Sequence, residues 1–144
     1  MKRITEVVLF VAAGFLAAGS AMAQNREVKA NIPFSFTVDG HTLPAGHYTI
    51  KPEPNNPDLL RLDDSADSVY TFVMIRPDAD RSQKDNTIEF HHYGNQYFLS
   101  SLRSNSVSMD CHLMTSKQEK WAKAAATQAV ASVRTDDNIM IALK

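Results

Sequence analysis

Val28-Lys29-Ala30-Asn31-Ile32-Pro33-Phe34-Ser35-Phe36-Thr37-Val38 puts an apolar side chain on every second residue, with Lys29, Asn31, Pro33, Ser35 and Thr37 between them. Successive side chains leave a pleated backbone on opposite sides. Period two is therefore the mark of a β-strand with one buried face and one wet face. A single strand is expected here. Pro33 has no amide to donate, so this strand belongs at a sheet edge or bulges near its middle. Asp39-Gly40 follows, a dipeptide suited to the positive φ angles of a tight hairpin turn.

The chain beyond this stretch continues in the same style. Leu43-Pro44-Ala45-Gly46 reads as a second turn, with proline presetting φ at its first corner and glycine relieving its exit. His47 to Ile50 alternates as a short strand. Pro52, Pro54 and Pro57 make residues 52–57 a loop without regular pairing. Leu59 to Asp63 is a brief strand. Val69 to Ile75 is almost continuously apolar, the pattern of a central strand covered on both faces. Arg76 to Asn86 is a polar connection.

Thr87 to Tyr93 and Gln96 to Arg103 flank Gly94-Asn95, which predicts a hairpin with a two-residue loop. That loop pairs Tyr93 with Gln96, His92 with Tyr97, Phe90 with Leu99 and Ile88 with Ser101. Ile88, Phe90, His92, Tyr97 and Leu99 then share the core face. Glu89, His91, Tyr93, Gln96, Phe98 and Ser100 share the other, and a slip of one residue would exchange the two. Ser106 to Met114 is a further strand. Ser116 opens a helix running to about residue 132, with Ser116 and Glu119 spaced as a capping box. Trp121 is its one large side chain, and with the alanines it is expected to rest the helix on the sheet. A last strand covers residues 138–144.

Six to eight short strands, tight turns and one late helix predict a mainly β fold. The expected architecture is a small antiparallel β-barrel or sandwich with one α-helix in the C-terminal region. Residues 24–144 form one domain, with no internal repeat.

The segment before it has a different composition. Lys2 and Arg3 give a positive start, Val7 to Ala18 is apolar, and Ala21-Met22-Ala23 precedes Gln24. This is the layout of a cleavable signal peptide over residues 1–23, and it predicts export to the periplasm or the extracellular space. No later segment approaches the ~20 apolar residues of a membrane span. The only cysteine, Cys111, has no partner for an intrachain disulfide. Its neighbours Met109, Leu113 and Met114 predict that it is buried. Lys and Arg total 15 against 16 Asp and Glu, dispersed along the chain. That balance gives no basic patch for nucleic acid.

Several residue groups touch on chemistry without completing it. Asp78, Asp80, Ser82, Asn86 and Glu89 match positions 1, 3, 5, 9 and 12 of a calcium loop. Gln83, however, stands where the sharp turn needs glycine, and the flanks read as strands where that motif needs helices. His91 and His92 are adjacent in a strand and point to opposite faces, as do Cys111 and His112. His41 and His47 flank the proline turn. No CxxC, HxH or HExxH spacing appears, so no metal site is expected. There is no Gly-x-Ser-x-Gly elbow, and Ser100-Ser101 lies within a strand. A Cys111 nucleophile with His92 or His112 as base is sterically conceivable. Tyr93, Tyr97 and Phe98 with His91 and His92 could floor a binding patch or simply be core and rim.

Three segments together resemble a group of small exported bacterial β-domain proteins of no known activity. They are the IPFxF run at Ile32 to Phe36, the LPAGxY turn at Leu43 to Tyr48, and the YGxQYFL hairpin at Tyr93 to Leu99. The resemblance spans roughly Val28 to Trp121. It implies export and a compact β domain, and it brings no catalytic residue with it. The expectation is an exported binding or scaffold domain that performs no chemistry, with no cofactor and no metal. Its partner would be a protein or a small ligand. Two alternatives are a β-barrel carrier of a small apolar ligand and a thiol or hydrolytic enzyme using Cys111 with a histidine. An edge strand at Pro33 would suit a partner's strand.

Overall fold

The computed structural model describes residues 26–66, 70–78, 85–105, 107–129 and 137–144. The expected signal peptide, residues 1–23, lies outside them. The described strands are β1 (Val28–Ile32), β2 (Phe36–Val38), β3 (His41–Leu43), β4 (Gly46–Glu53), β5 (Asn56–Asp64), β6 (Tyr70–Pro77), β7 (Thr87–Tyr93), β8 (Gln96–Ser104), β9 (Met109–Leu113) and β10 (Asp137–Ala142). One described helix, α1 (Lys117–Ala129), precedes β10. The protein is mainly β, an unclosed and largely antiparallel sheet folded as a small sandwich.

The opening alternation is broken where Pro33 stands. Val28, Ala30 and Ile32 face the core from β1, which pairs with β4. Phe36 and Val38 face it from β2, which meets β8 in a single parallel contact, Thr37 to Phe98. One expected strand is thus two, in different sheets. Without an amide to donate, Pro33 ends the first ladder and lets the chain cross over. This split and the three-residue β3 raise the described strands to ten, above the expected six to eight.

The first sheet runs β1-β4-β5-β6 and the second β6-β9-β8-β7-β10, with the β2–β3 hairpin set against β8. β6 belongs to both. Tyr70 to Met74 pair with β5, and Ile75 to Pro77 pair with β9. At the opposite corner, Lys29 and Lys144 exchange backbone hydrogen bonds of 3.1 and 2.9 Å, a single stitch between β1 and the chain just past β10.

The core between the sheets is aromatic at its centre. Phe36 lies edge-on to Tyr48 and to Phe90, with centroids 5.3 and 5.4 Å apart. Phe34, in the crossover, stands edge-on to Phe90 and stacks on Tyr97. Ile32 and Phe36 are therefore core, and Phe34 is a cover over it. The Leu43–Gly46 turn is held by the Tyr48 hydroxyl, which donates to the Pro44 carbonyl at 2.7 Å. A tyrosine reaching back to the backbone a few residues upstream is the tyrosine-corner device of β-sandwiches.

Two expected loops and faces differ from the sequence reading. Residues 52–57 are not an unpaired loop. β4 runs through Pro52 and Glu53, and Glu53 pairs with Asn56 across a tight turn at 54–55, with the register shifting between Pro52 and Glu53. The prolines sit where the ladder is already irregular, so their missing donors cost little. Nor is β6 covered on both faces. Val73 and Ile75 are buried, whereas Tyr70, Phe72 and Met74 are 54, 43 and 57% exposed. No described element lies over that side, and no described strand pairs with the second edge of Tyr70 to Met74.

Candidate functional site

The β7–β8 hairpin shows how the backbone arranges polar groups. Gly94 takes φ +66°, the positive angle its turn needs, and Tyr93–Gln96, His92–Tyr97 and Phe90–Leu99 pair as the sequence predicts. The register then shifts. Glu89 pairs with Ser101 and Ile88 with Leu102 rather than with Ser101, leaving Ser100 as the extra residue of a β-bulge. A bulge turns consecutive side chains to one side. Ser100 and Ser101 both leave the core face, and Leu102 returns to it, 1% exposed.

The two serines then serve two neighbouring polar groups. Ser101 Oγ donates to Glu89 Oε2 at 2.9 Å, and Asn138 Nδ2 on β10 donates to Glu89 Oε1 at 2.8 Å. Arg103 lies 3.9 Å from Glu89 and 3.7 Å from Asp110. Ser100 Oγ lies 2.9 Å from His91 Nε2, and His91 Nδ1 lies 2.6 Å from Glu119 Oε1 on α1. A carboxylate can only accept, so His91 carries a proton on Nδ1, and in the neutral ring Nε2 is then the acceptor for the Ser100 hydroxyl.

Glu119 therefore does not complete a capping box. Ser116 Oγ accepts from the Glu119 amide at 3.1 Å, as expected, but the Glu119 carboxylate turns to the sheet and is buried. Trp121 does not anchor the helix either; it is 74% exposed. Glu119, Ala122 and Ala126 are the less exposed positions of α1, at helical spacing on one face. Alanine allows close approach, and the Glu119–His91 bond orients the helix. A large indole on that face would hold it away.

The expected aromatic patch is divided between the two sides of the sheet. His92 stacks on Tyr97 at 4.5 Å on the core side. Tyr93 and Phe98 lie on the other side with His91, both buried, and Lys123 of α1 sits 5.9 Å over the Tyr93 ring. They form a small second core beneath α1.

Other residues singled out in the sequence are placed as follows. Cys111 is buried, its Sγ 3.7 Å from the Leu102 carbonyl. Burial, with Asp78 and Asp110 nearby, pushes its thiol from 9.0 up to about 12. His112 turns to the opposite face and bonds Asp78 at 2.5 Å. Of the calcium-like loop, Asp80 and Ser82 lie outside the described residues. Asn86 accepts from the Asn105 amide at 2.8 Å and Glu89 is engaged as above. His41 is on β3 and His47 on β4. Among the described residues, no group of three His, Cys, Asp or Glu side chains is placed to hold a metal ion. No described helix is long and apolar enough to cross a membrane.

A cleft of about 820 Å³ opens beside the β4–β5 turn and the turn leading into β9. Buried Ile75, Val107 and Cys111 form its floor, Pro52, Pro54, Pro57 and Pro77 stand around it, and Arg26, Lys51 and Arg61 bring three cations to it against the two carboxylates of Glu53 and Asp110. Lys51 and Arg61 share Asp63, at 3.3 and 2.6 Å, and the Arg61 guanidinium lies 4.5 Å over the Tyr70 ring. Among the described residues, no ion pair engages Arg26. No family model, curated protein or solved structure matches the chain.

Proposed function

We propose that this chain is an exported binding domain that holds a small molecule with an apolar body and an anionic head in the cleft over Cys111. The observation that carries the reading is the cleft itself, a buried apolar floor beneath Arg26, Lys51 and Arg61. Its volume falls in the range of small-ligand sites, ~300–1,000 Å³. Proline side chains are apolar and lack an amide, so they offer a ligand surface without a backbone donor to satisfy. With its pKa raised to about 12, the Cys111 thiol stays protonated and is a wall atom rather than a nucleophile. That favours holding a ligand here over the thiol-enzyme alternative.

Titration with 1-anilinonaphthalene-8-sulfonate, an aromatic body with a sulfonate head, tests the reading. Saturable one-to-one enhancement is expected. Val107→Trp should abolish it by filling the floor, and Arg26→Glu should weaken it, both in chains whose circular dichroism shows the same fold. Equal enhancement in all three folded proteins would refute it. A native mass spectrum of protein from the exported fraction would further report any resident ligand as a stoichiometric extra mass, and would give the cut site.

A protein partner is the second reading, favoured by the edge of β6. Tyr70, Phe72 and Met74 combine an unpaired strand edge with exposed apolar side chains, the surface that strand addition uses. Loss of a complex on Phe72→Lys, with dye binding intact, would favour it over the cleft.

A further inference from the structure

We infer that Ser100, His91 and Glu119 form a nucleophilic relay, and that Ser100 accepts acyl groups from small unhindered esters. The relay shares no residue with the cleft and does not depend on the ligand proposed for it.

The argument starts from connectivity. A serine hydroxyl is a poor nucleophile until a base takes its proton, and the base must be held in one tautomer by an acceptor on its other nitrogen. Here the serine–histidine separation is 2.9 Å and the histidine–carboxylate separation 2.6 Å, both within hydrogen-bond reach. The order is hydroxyl, Nε2, Nδ1, carboxylate. Three separate elements supply it: the bulge of β8, the middle of β7 and the first turn of α1.

The local structure is placed as the chemistry requires. The bulge frees Ser100 from the regular pairing that makes a mid-strand serine inert, and bulges recur beside active sites for this reason. The buried Glu119 is the orienting group, its side chain 7% exposed. The His91 side chain is 32% exposed and Ser100 is half-buried, so neither partner is sealed in the core. Ser101, one residue on, bonds Glu89 and has no histidine. Only Ser100 is activated.

The step balances with water as the sole co-reactant. Ser100 Oγ forms a bond to the acyl carbon as its proton passes to His91 Nε2. The ester C–O bond breaks, and the leaving alkoxide takes that proton and departs as alcohol. Water, deprotonated by His91 Nε2, then attacks the acyl carbon; the acyl–serine C–O bond breaks, Ser100 Oγ takes the proton back from His91, and the acid departs. Glu119 touches neither substrate nor acyl group and is a positioning residue.

The test is reaction of the full folded chain with a fluorophosphonate probe, mapped by peptide mass spectrometry, beside p-nitrophenyl acetate hydrolysis. A single adduct on Ser100 is expected. Ser100→Ala should abolish both signals, and His91→Asn should slow hydrolysis at least about a hundredfold. Glu119→Gln retains an oxygen that can accept from Nδ1, so α1 stays docked while the orienting charge is lost. Its labelling rate should fall at least about tenfold with the circular dichroism spectrum and melting temperature kept. No adduct on the folded chain, an adduct on another serine, or equal labelling of folded Glu119→Gln would each overturn the inference.

Discussion

Cys111 allows a stability effect to be worked from its surroundings and measured. Its thiol is pushed from 9.0 to about 12, first by burial and then by Asp78 and Asp110, against a smaller opposing backbone contribution at Leu102. The native chain thus keeps a proton that the unfolded chain releases. The stability this provides is whole below pH 9, and it is lost as pH rises from about 9 to about 12. At about 1.4 kcal/mol per pH unit, raising the pH from about 8 to about 10.5 should cost about 2 kcal/mol through this group alone. Urea midpoints for wild type and Cys111→Ala across that range provide the assay. Lysines and tyrosines titrate in both proteins and cancel in the comparison. Alanine leaves a small cavity, which lowers stability by a constant offset. The two curves should converge as the pH rises. Parallel curves would show that Cys111 titrates alike folded and unfolded, and would refute its burial as the cause.

Three further outcomes follow from the packing. Phe90→Ala, at the meeting point of Phe34 and Phe36, should lower stability by about 3–5 kcal/mol in urea unfolding. Tyr48→Phe removes the bond to the Pro44 carbonyl and should cost about 1 kcal/mol, with the same fold by circular dichroism. Trp121→Ala should change stability by no more than about 0.5 kcal/mol. Because Trp121 is the sole tryptophan, wild-type fluorescence should be quenched freely by acrylamide before unfolding and little more after it.

The parts of this fold legible in the sequence are those set by neighbours along the chain. Gly94-Asn95 specifies its hairpin and the cross-strand pairing from Tyr93–Gln96 to Phe90–Leu99, because a two-residue loop fixes register locally. Burial of Cys111 followed from its apolar flanks. What failed depended on partners distant in sequence. The Val28–Val38 alternation is equally consistent with one strand or two, since both β1 and β2 face the same core. The bulge at Ser100 has no signature in composition; two adjacent serines read as ordinary strand residues until Ile88 is seen opposite Leu102. Glu119 looked like a cap because the capping-box spacing is local, whereas His91 enters only when α1 lies on β7. The size of Trp121 suggests an anchor, but the alanine face docks closer. In the sequence the relay is three unconnected residues, and Ser100 has only the look of a strand residue. The cleft was hidden for the same reason, its proline segment reading as an unpaired loop while Ile75, Val107 and Cys111 lie far apart along the chain.

The stitch between Lys29 and Lys144 also has a kinetic meaning. It joins the first described strand to the chain beyond the last, so its loop-closure entropy is among the largest in the molecule. Pairing of such distant segments slows folding relative to local hairpins. The β7–β8 hairpin should close early, while the corner at β1 and β10 should wait until both Lys29 and Lys144 have left the ribosome. Until then the inner faces of Val28 and Leu143 lack their final cover. A nascent chain of this kind stays open until Lys144 has emerged, and its corner seals after its hairpins.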